Sequence, residues 1–222
     1  MNKKTRSCFI ISGTLFLLFA LLIVAVLKID VKPIGPENSS IGLATINKAV
    51  FDFFKVNMIW YHITDWISVV AIAVALGFAV LGLVQLIKRK SIKKVDIGIL
   101  VLGAVYILTA ACYVLFEFAV VNYRPIILGE NLAPSFPSST TLTVVVITGT
   151  AIIQFNRMFK QKKSLRIITI TISSVILGIT VIGRQISGVH WFTDILGALL
   201  LGSAIIVLYY AIVMLLEKRI LS

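Results

Sequence analysis

Residues 183–194 read GRQISGVHWFTD and lie where a long apolar run begins. If the closing helix begins near Gly188, His190 and Asp194 are four positions apart and share one helical face. The aspartate can then accept the histidine N–H and leave the other ring nitrogen free as a base or nucleophile. Arg184 offers a planar fork of donors to an oxyanion. Alternatively, histidine and tryptophan only anchor a membrane helix at headgroup level.

The composition is that of a membrane protein. Of 222 residues, 59% are apolar and 14% are charged, and the mean hydropathy is +1.04. Six runs approach the roughly 20 residues that cross a hydrocarbon core of about 30 Å, and in lipid such runs must be helices. We therefore predict one all-α domain over residues 1–222, a polytopic bundle of six transmembrane helices. The predicted spans are about 8–27, 63–87, 97–121, 138–155, 167–182 and 191–216.

The net charge of +12 indicates topology rather than nucleic-acid binding. With these spans, one side of the membrane holds 15 basic residues against two acidic ones, and the other holds six against seven. Cytoplasmic loops carry the excess of Lys and Arg, so both termini are predicted to be cytoplasmic. The first span is read as a retained helix rather than a signal peptide. The basic residues on the predicted inner side are Lys3, Lys4, Arg6, Lys88, Arg89, Lys90, Lys93, Lys94, Arg157, Lys160, Lys162, Lys163, Arg166, Lys218 and Arg219.

The first outer segment combines a loop at 28–40 with an amphipathic stretch. Its periodicity predicts a helix on the outer membrane surface or packed against the bundle mouth. The second span then opens with His62, Asp65 and Trp66. Asp65 is a functional candidate because it is ionisable inside a span, or it caps its helix. The apolar positions of the amphipathic stretch are Leu43, Ile46, Val50 and Phe53, and the charged ones are Lys48, Asp52 and Lys55.

Two further outer stretches carry polar groups. Span three ends in EFAVVNYRP, where Glu117 and Arg124 are seven positions apart and share a face if the helix continues. Pro137 suits the first position of span four. The hydroxyls that follow, together with free N–H groups at a helix start, form an anion cradle or an ordinary cap. These hydroxyl residues are Ser138, Ser139 and Thr140.

The predicted topology brings these groups to one membrane level. Arg124, Arg184 and the hydroxyl-rich helix start suit a phosphate-like group. The pair of His190 and Asp194 beside them suits phosphoryl transfer.

These residues resemble the type-2 phosphatidic acid phosphatase family, the membrane branch of the vanadium haloperoxidase superfamily. The family motifs K-x6-R-P, P-S-G-H and S-R-x5-H-x3-D correspond in order to EFAVVNYRP, PSST and GRQISGVHWFTD. The resemblance implies that His190 is a nucleophile forming a phosphohistidine and that Asp194 orients it. It also implies that no metal or other cofactor takes part. The phosphate-binding residues that it implies are Arg124, Ser138, Ser139 and Arg184.

Three departures make this a divergent member. Gly183 replaces a serine, and Ser139 and Thr140 replace the glycine and the general-acid histidine. Glu117 replaces a phosphate-binding lysine, and it is either a substitute proton donor or an ion-pair partner of Arg124.

The resemblance implies a hydrolase that acts on a lipid phosphomonoester or diphosphate at the outer face. The expected location is a bacterial cell membrane, and the expected partner is a phosphorylated lipid. The alternatives are a non-catalytic binder or transporter of phosphorylated lipids and a phosphotransferase.

Overall fold

The computed structural model of the protein describes residues 2–221, with side chains up to Lys218. Arg219, counted above among the inner basic residues, lies outside the described side chains. Six of the helices are long and apolar enough to cross a membrane, which confirms the predicted helical bundle. The described helices are α1 (Lys3–Lys28), α2 (Ala44–Phe54), α3 (Met58–Arg89), α4 (Ile97–Phe118), α5 (Ser139–Met158), α6 (Lys163–Ile186) and α7 (Phe192–Leu221).

Two helix boundaries near the candidate site differ from the prediction. Helix α4 ends at Phe118 rather than near residue 121, so Glu117 and Arg124 do not share one continuous helix. Helix α5 begins after its N-cap Ser138, so Pro137 precedes the helix rather than starting it. Hydropathy predicts apolar length, whereas α5 begins after a residue whose backbone N–H donates to the Asp194 carbonyl, a contact between distant segments.

Helix α7 begins at Phe192, close to the predicted start of the last span near residue 191, but after Gly188, where a shared helical face of His190 and Asp194 would require it to begin. Gly188 has a φ of +65°, a left-handed conformation that favours glycine. A Cβ at this position would also clash with the backbone carbonyl of Lys55. The residues between α6 and α7 therefore form a tight loop against the segment that joins α2 to α3.

Helices α5 and α7 form the centre of the bundle. In the apolar 18-residue stretch of α5, 56% of the residues are buried, whereas the corresponding fraction in α3 is 11%. Gly149 packs against Ile206, and Gly202 packs against Val145, at positions where an added Cβ would clash. Small residues allow such close backbone approach between membrane helices. The first turns of α5 and α7 are therefore held side by side.

A polar network joins the inner ends of α4, α5 and α7. Gln154 is fully buried, donates to Asp96 Oδ1 at 3.2 Å and accepts from the Tyr209 hydroxyl at 2.9 Å. Arg157 forms ion pairs with Asp96, at 3.5 Å, and with Glu217. Because each of these polar groups has partners, the network stabilises the arrangement of the three helices far from the outer face.

Helix α2 lies at the end of the bundle that carries His190 and packs on the start of α7. Its side chain Asn47 is fully buried, and the Phe51 ring lies 5.6 Å from the Trp191 ring. The predicted apolar face does not form the packing surface, since Ile46 and Phe53 are 45% and 79% exposed. Tertiary hydrogen bonds from a polar residue orient this helix and leave its apolar side outward.

Candidate functional site

His190 lies in the loop between α6 and α7 and is 2% exposed. Its Nδ1 lies 3.1 Å from the carbonyl oxygen of Ser135 and 3.4 Å from Asp194 Oδ2. Its Nε2 lies 3.2 Å from Arg124 Nη1. A guanidinium only donates and a carbonyl only accepts, so Nδ1 carries the proton and Nε2 presents its lone pair. This is the tautomer that a nucleophilic Nε2 requires.

Asp194 lies in the first turn of α7 and is fully buried. Its Oδ2 accepts from the backbone N–H of Trp191 at 2.9 Å, which closes the start of the helix as in a capping box. Its backbone oxygen accepts from Ser138 N at 3.1 Å. The expected contact between His190 and Asp194 is thus present, although His190 precedes the helix instead of sharing its face.

Burial lowers the pKa of His190 well below 6.5, and the positive charges of Arg124 and Arg184 lower it further. The carbonyl of Ser135 opposes this effect by accepting from the protonated ring. The imidazole is therefore neutral at pH 7. Arg124 contacts His190 directly, at 3.2 Å, whereas the contacts of Arg184 are with α3 and Thr140, so the convergence of both arginines on one phosphate stays a prediction.

Arg124 belongs to a hairpin-like loop that follows α4. Its backbone N–H donates to the Ala133 carbonyl at 3.0 Å, and Tyr123 and Pro134 form an isolated antiparallel bridge. The Trp191 indole N–H donates to the Tyr123 carbonyl at 2.7 Å. These bonds position the loop beside His190, so that the guanidinium of Arg124 contacts the imidazole.

Arg184 lies in the last turn of α6, is 2% exposed and is held by α3 and α5. Its Nη1 donates to Thr64 Oγ1 at 3.0 Å and lies 3.3 Å from Asp65 Oδ1. Its Nη2 donates to Thr140 Oγ1 at 2.9 Å. Its Nε is buried and has no partner among the described residues. Nε is therefore the one nitrogen of this guanidinium without a hydrogen-bond partner among the described residues.

The three hydroxyl residues at the start of α5 have different environments. Ser138 is fully buried as the N-cap, with its Oγ accepting from Thr141 N at 3.4 Å. Ser139 lines the same cleft as His190. Thr140, in place of the family histidine, is a partner of Arg184. Their predicted phosphate-binding roles stay predictions, and Ser139 is the one that faces the cleft.

Glu117 is exposed near the end of α4 and lines the cleft together with Arg124 and His190. Among the described side chains it forms no ion pair within 4.0 Å. The ion pair with Arg124 required the helix to continue through residue 124, and α4 ends before that point.

The cleft beside His190 is narrow, with room for about one water molecule. It opens between α4 and the start of α5. Apolar side chains from α4 form one wall, and the polar groups described above form the other. Its lining residues are Cys112, Tyr113, Phe116, Glu117, Arg124, Pro134, Ser135, Phe136, Pro137, Ser139, Leu142 and His190.

Sequence reasoning missed two groups next to Asp194. The Oγ of Ser135 and Nδ2 of Asn122 are buried without a partner in the described chain, as is Asp194 Oδ1. Both side chains face the Asp194 carboxyl. Neither residue belongs to a periodic or charged pattern, so no local signal distinguishes it. Asp65 had a local signal, because it is an ionisable residue inside a predicted span. It does not cap α3, since Asn57 is the N-cap residue of that helix.

The fold and this site define an integral-membrane protein with its histidine, aspartate and arginines gathered at one end of a six-span bundle. Residues 116–218, which contain all three motifs, match the model of the PAP2 superfamily. This match confirms the resemblance to type-2 phosphatidic acid phosphatases.

One solved structure has a similar fold. It is described as the crystal structure of the first transmembrane PAP2 type phosphatidylglycerolphosphate phosphatase from Bacillus subtilis. The TM-score is 0.62 at 19% sequence identity, over 94% of this chain and 96% of that chain. At this identity the similarity shows the fold. Comparison with curated proteins gave no match.

Proposed function

We propose that this protein is a lipid phosphate phosphatase that hydrolyses a phosphomonoester or diphosphate at the outer face of a bacterial cell membrane. The observation that carries the proposal is the state of His190. Its Nδ1–H is directed at the Ser135 carbonyl beside Asp194, and its Nε2 faces a cleft with an arginine at 3.2 Å. A fixed neutral imidazole beside guanidinium groups suits attack on a phosphate.

In the proposed first step, Arg124 moves from His190 Nε2 onto a phosphate oxygen. The lone pair of Nε2 then attacks phosphorus, the bond from phosphorus to the leaving oxygen breaks, and a phosphohistidine forms. In the second step water attacks phosphorus and gives a proton to the Glu117 carboxylate, the P–N bond breaks and inorganic phosphate leaves. Asp194 stabilises the positive charge on the ring, and the guanidinium groups of Arg124 and Arg184 stabilise the negative charge on the phosphate oxygens.

We assign the proton of the leaving group to the carboxylic acid form of Glu117, which the second step regenerates. It lines the cleft beside His190, and no ion pair of the described chain engages its carboxylate. Thr140 is unsuited to this task, because a hydroxyl has no useful acidity at neutral pH and its Oγ1 accepts from Arg184. Glu117 thus takes the role that the family gives to the histidine of the second motif.

A non-catalytic binder of phosphorylated lipids is the second candidate function. The narrow cleft and the substitution of threonine for the acid histidine favour it. Both functions use the same arginines, so they are distinguished by turnover and not by affinity.

The test is phosphate release in detergent from a panel of lipid phosphates and diphosphates. The panel includes phosphatidylglycerolphosphate, which the B. subtilis protein of similar fold is described as hydrolysing. We expect His190→Ala to lower turnover by about 10³-fold or more, with His62→Ala, an exposed histidine, as the matched control. Glu117→Gln should slow poor leaving groups far more than an activated aryl phosphate. Tight binding without turnover in the wild type would support the lipid binder instead.

A further inference from the structure

Asp65 provides the counter-charge of a buried arginine in the site. Its Oδ1 lies 3.3 Å from Arg184 Nη1, and no other carboxylate of the described side chains lies within 4.0 Å of that guanidinium. The side chain of Arg184 is 2% exposed, whereas that of Asp65 is 47% exposed. A buried guanidinium without a nearby carboxylate is strongly disfavoured, so the site depends on this pairing.

The contacts of Arg184 also determine which edge of its guanidinium faces away from α3. Nη1 is held on the α3 side by Asp65, Thr64 and the Tyr61 carbonyl, the last at 3.3 Å. The Tyr61 ring lies 4.8 Å from the guanidinium carbon and covers one face. Because a guanidinium is planar and rigid, holding Nη1 sets the direction of Nε, which has no partner of its own.

The backbone allows α6 to approach α3 closely at this point. Gly183, directly before Arg184, packs against Trp60 and Thr64, and a Cβ there would lie 2.6 Å from a ring carbon of Trp60. This close approach brings the arginine within reach of the first two turns of α3. It accounts for glycine at the position where the family motif has serine.

We infer that Asp65 is a positioning residue that orients Arg184 toward the phosphate. This inference rests on the proposed function, in which Arg184 binds phosphate oxygens. Asp65 acts through Arg184 and not on the substrate, since it holds the Nη1 edge that faces away from the free Nε. It lies outside residues 116–218, so the family match does not include it.

A double-mutant cycle tests this role. The variants are Asp65→Ala, Asp65→Asn, Arg184→Ala and the combination of Asp65→Ala with Arg184→Ala. Misorientation of a binding group by about 1 Å can cost up to about 100-fold. We expect Asp65→Ala to weaken vanadate inhibition and to lower kcat/KM by about that factor, and Asp65→Asn, which keeps an acceptor oxygen, to lose less. In the Arg184→Ala background, Asp65→Ala should change either quantity less than about twofold.

The matched control is Asp52→Ala, which removes an acidic residue from an exposed pair with Lys48 on the same face of the membrane. It should leave vanadate inhibition unchanged. Stabilisation against heating by added phosphate provides a readout that needs no turnover, so it distinguishes failure of the positioning role from failure of the proposed phosphatase. Equal losses from Asp65→Ala with and without Arg184 would overturn the inference. So would an unchanged phosphate effect in the folded Asp65→Ala variant.

Discussion

At the residue scale, the environment of His190 combines two requirements. The ring is buried, which keeps it neutral, and both of its nitrogens have directed partners in Ser135 and Arg124. Burial without those partners would leave two polar atoms unsatisfied at a cost of about 1–3 kcal/mol each. The surrounding groups therefore make a buried neutral imidazole tolerable and at the same time select its tautomer.

The lowered pKa of His190 predicts a loss of stability in acid. The unfolded chain binds a proton as the pH falls below about 6.5, while the buried imidazole does not. The free energy of unfolding should therefore decrease by about 1.4 kcal/mol per pH unit below 6.5, until the folded-state pKa is reached. Thermal unfolding in detergent at pH 7.5 and 5.5 measures this effect. His190→Gln should reduce the difference between the two pH values, and His62→Gln should not. An equal difference in the wild type and His190→Gln would contradict the prediction.

At the element scale, α2 supports the start of the helix that carries Asp194. Asn47 Nδ2 donates to the Gly42 carbonyl at 2.8 Å and to Thr193 Oγ1 at 3.0 Å, and its Oδ1 accepts from Thr193 N at 3.1 Å. The side chain thus satisfies one of the free N–H groups in the first turn of α7. An outer helix that resembles a simple surface element in sequence is part of the support of the site.

We predict that Asn47→Ala destabilises the protein by about 2–3 kcal/mol, because it leaves buried groups of Thr193 and Gly42 without partners. Thermal unfolding in detergent measures the loss. The control is Lys48→Ala on the same helix, whose exposed ion pair with Asp52 is worth at most about 1 kcal/mol. Similar melting temperatures for the two variants would show that α2 does not support α7 through Asn47.

At the scale of the whole molecule, the number of candidate spans is even, so α1 begins and α7 ends at the same end of the bundle. The histidine, the aspartate and both arginines lie at the opposite ends of the spans. The buried network of Asp96, Gln154 and Arg157 lies at the end near the termini. At one end, the bundle is thus stabilised by a polar network whose members bond to one another. At the other end, several buried polar atoms have no hydrogen-bond partner among the described residues.

The charge asymmetry predicts which end faces outward. In a background in which Cys8 and Cys112 are replaced by alanine, single cysteines at positions 38 and 130 should react with an impermeant thiol reagent on intact cells. Cysteines at positions 93 and 162 should react only after permeabilisation. These four positions lie in loops or at helix ends, so their labelling reports the side of the membrane. Labelling at position 162 in intact cells would invert the proposed location of the site.

Local sequence determined the number of spans, their helical form and the order of the three motifs. Hydropathy over about 20 residues is a local property, and it was sufficient for the six-span bundle. The spacing of Arg184, His190 and Asp194 likewise identified the segment between α6 and α7 as part of the candidate site. The condition for a shared helical face is not met, since α7 begins after His190, so the contact of His190 with Asp194 has another geometry.

Only the tertiary structure decided the partners of the polar groups. Because α4 ends at Phe118, Glu117 and Arg124 share no helical face, and the close packing of α6 on α3 pairs Arg184 with Asp65. Asn47 and Thr193 are 146 positions apart in sequence, yet they form two hydrogen bonds. Such contacts depend on how distant helices pack, because a hydrogen bond requires its two atoms within about 3 Å of each other. No periodicity within one segment contains that information.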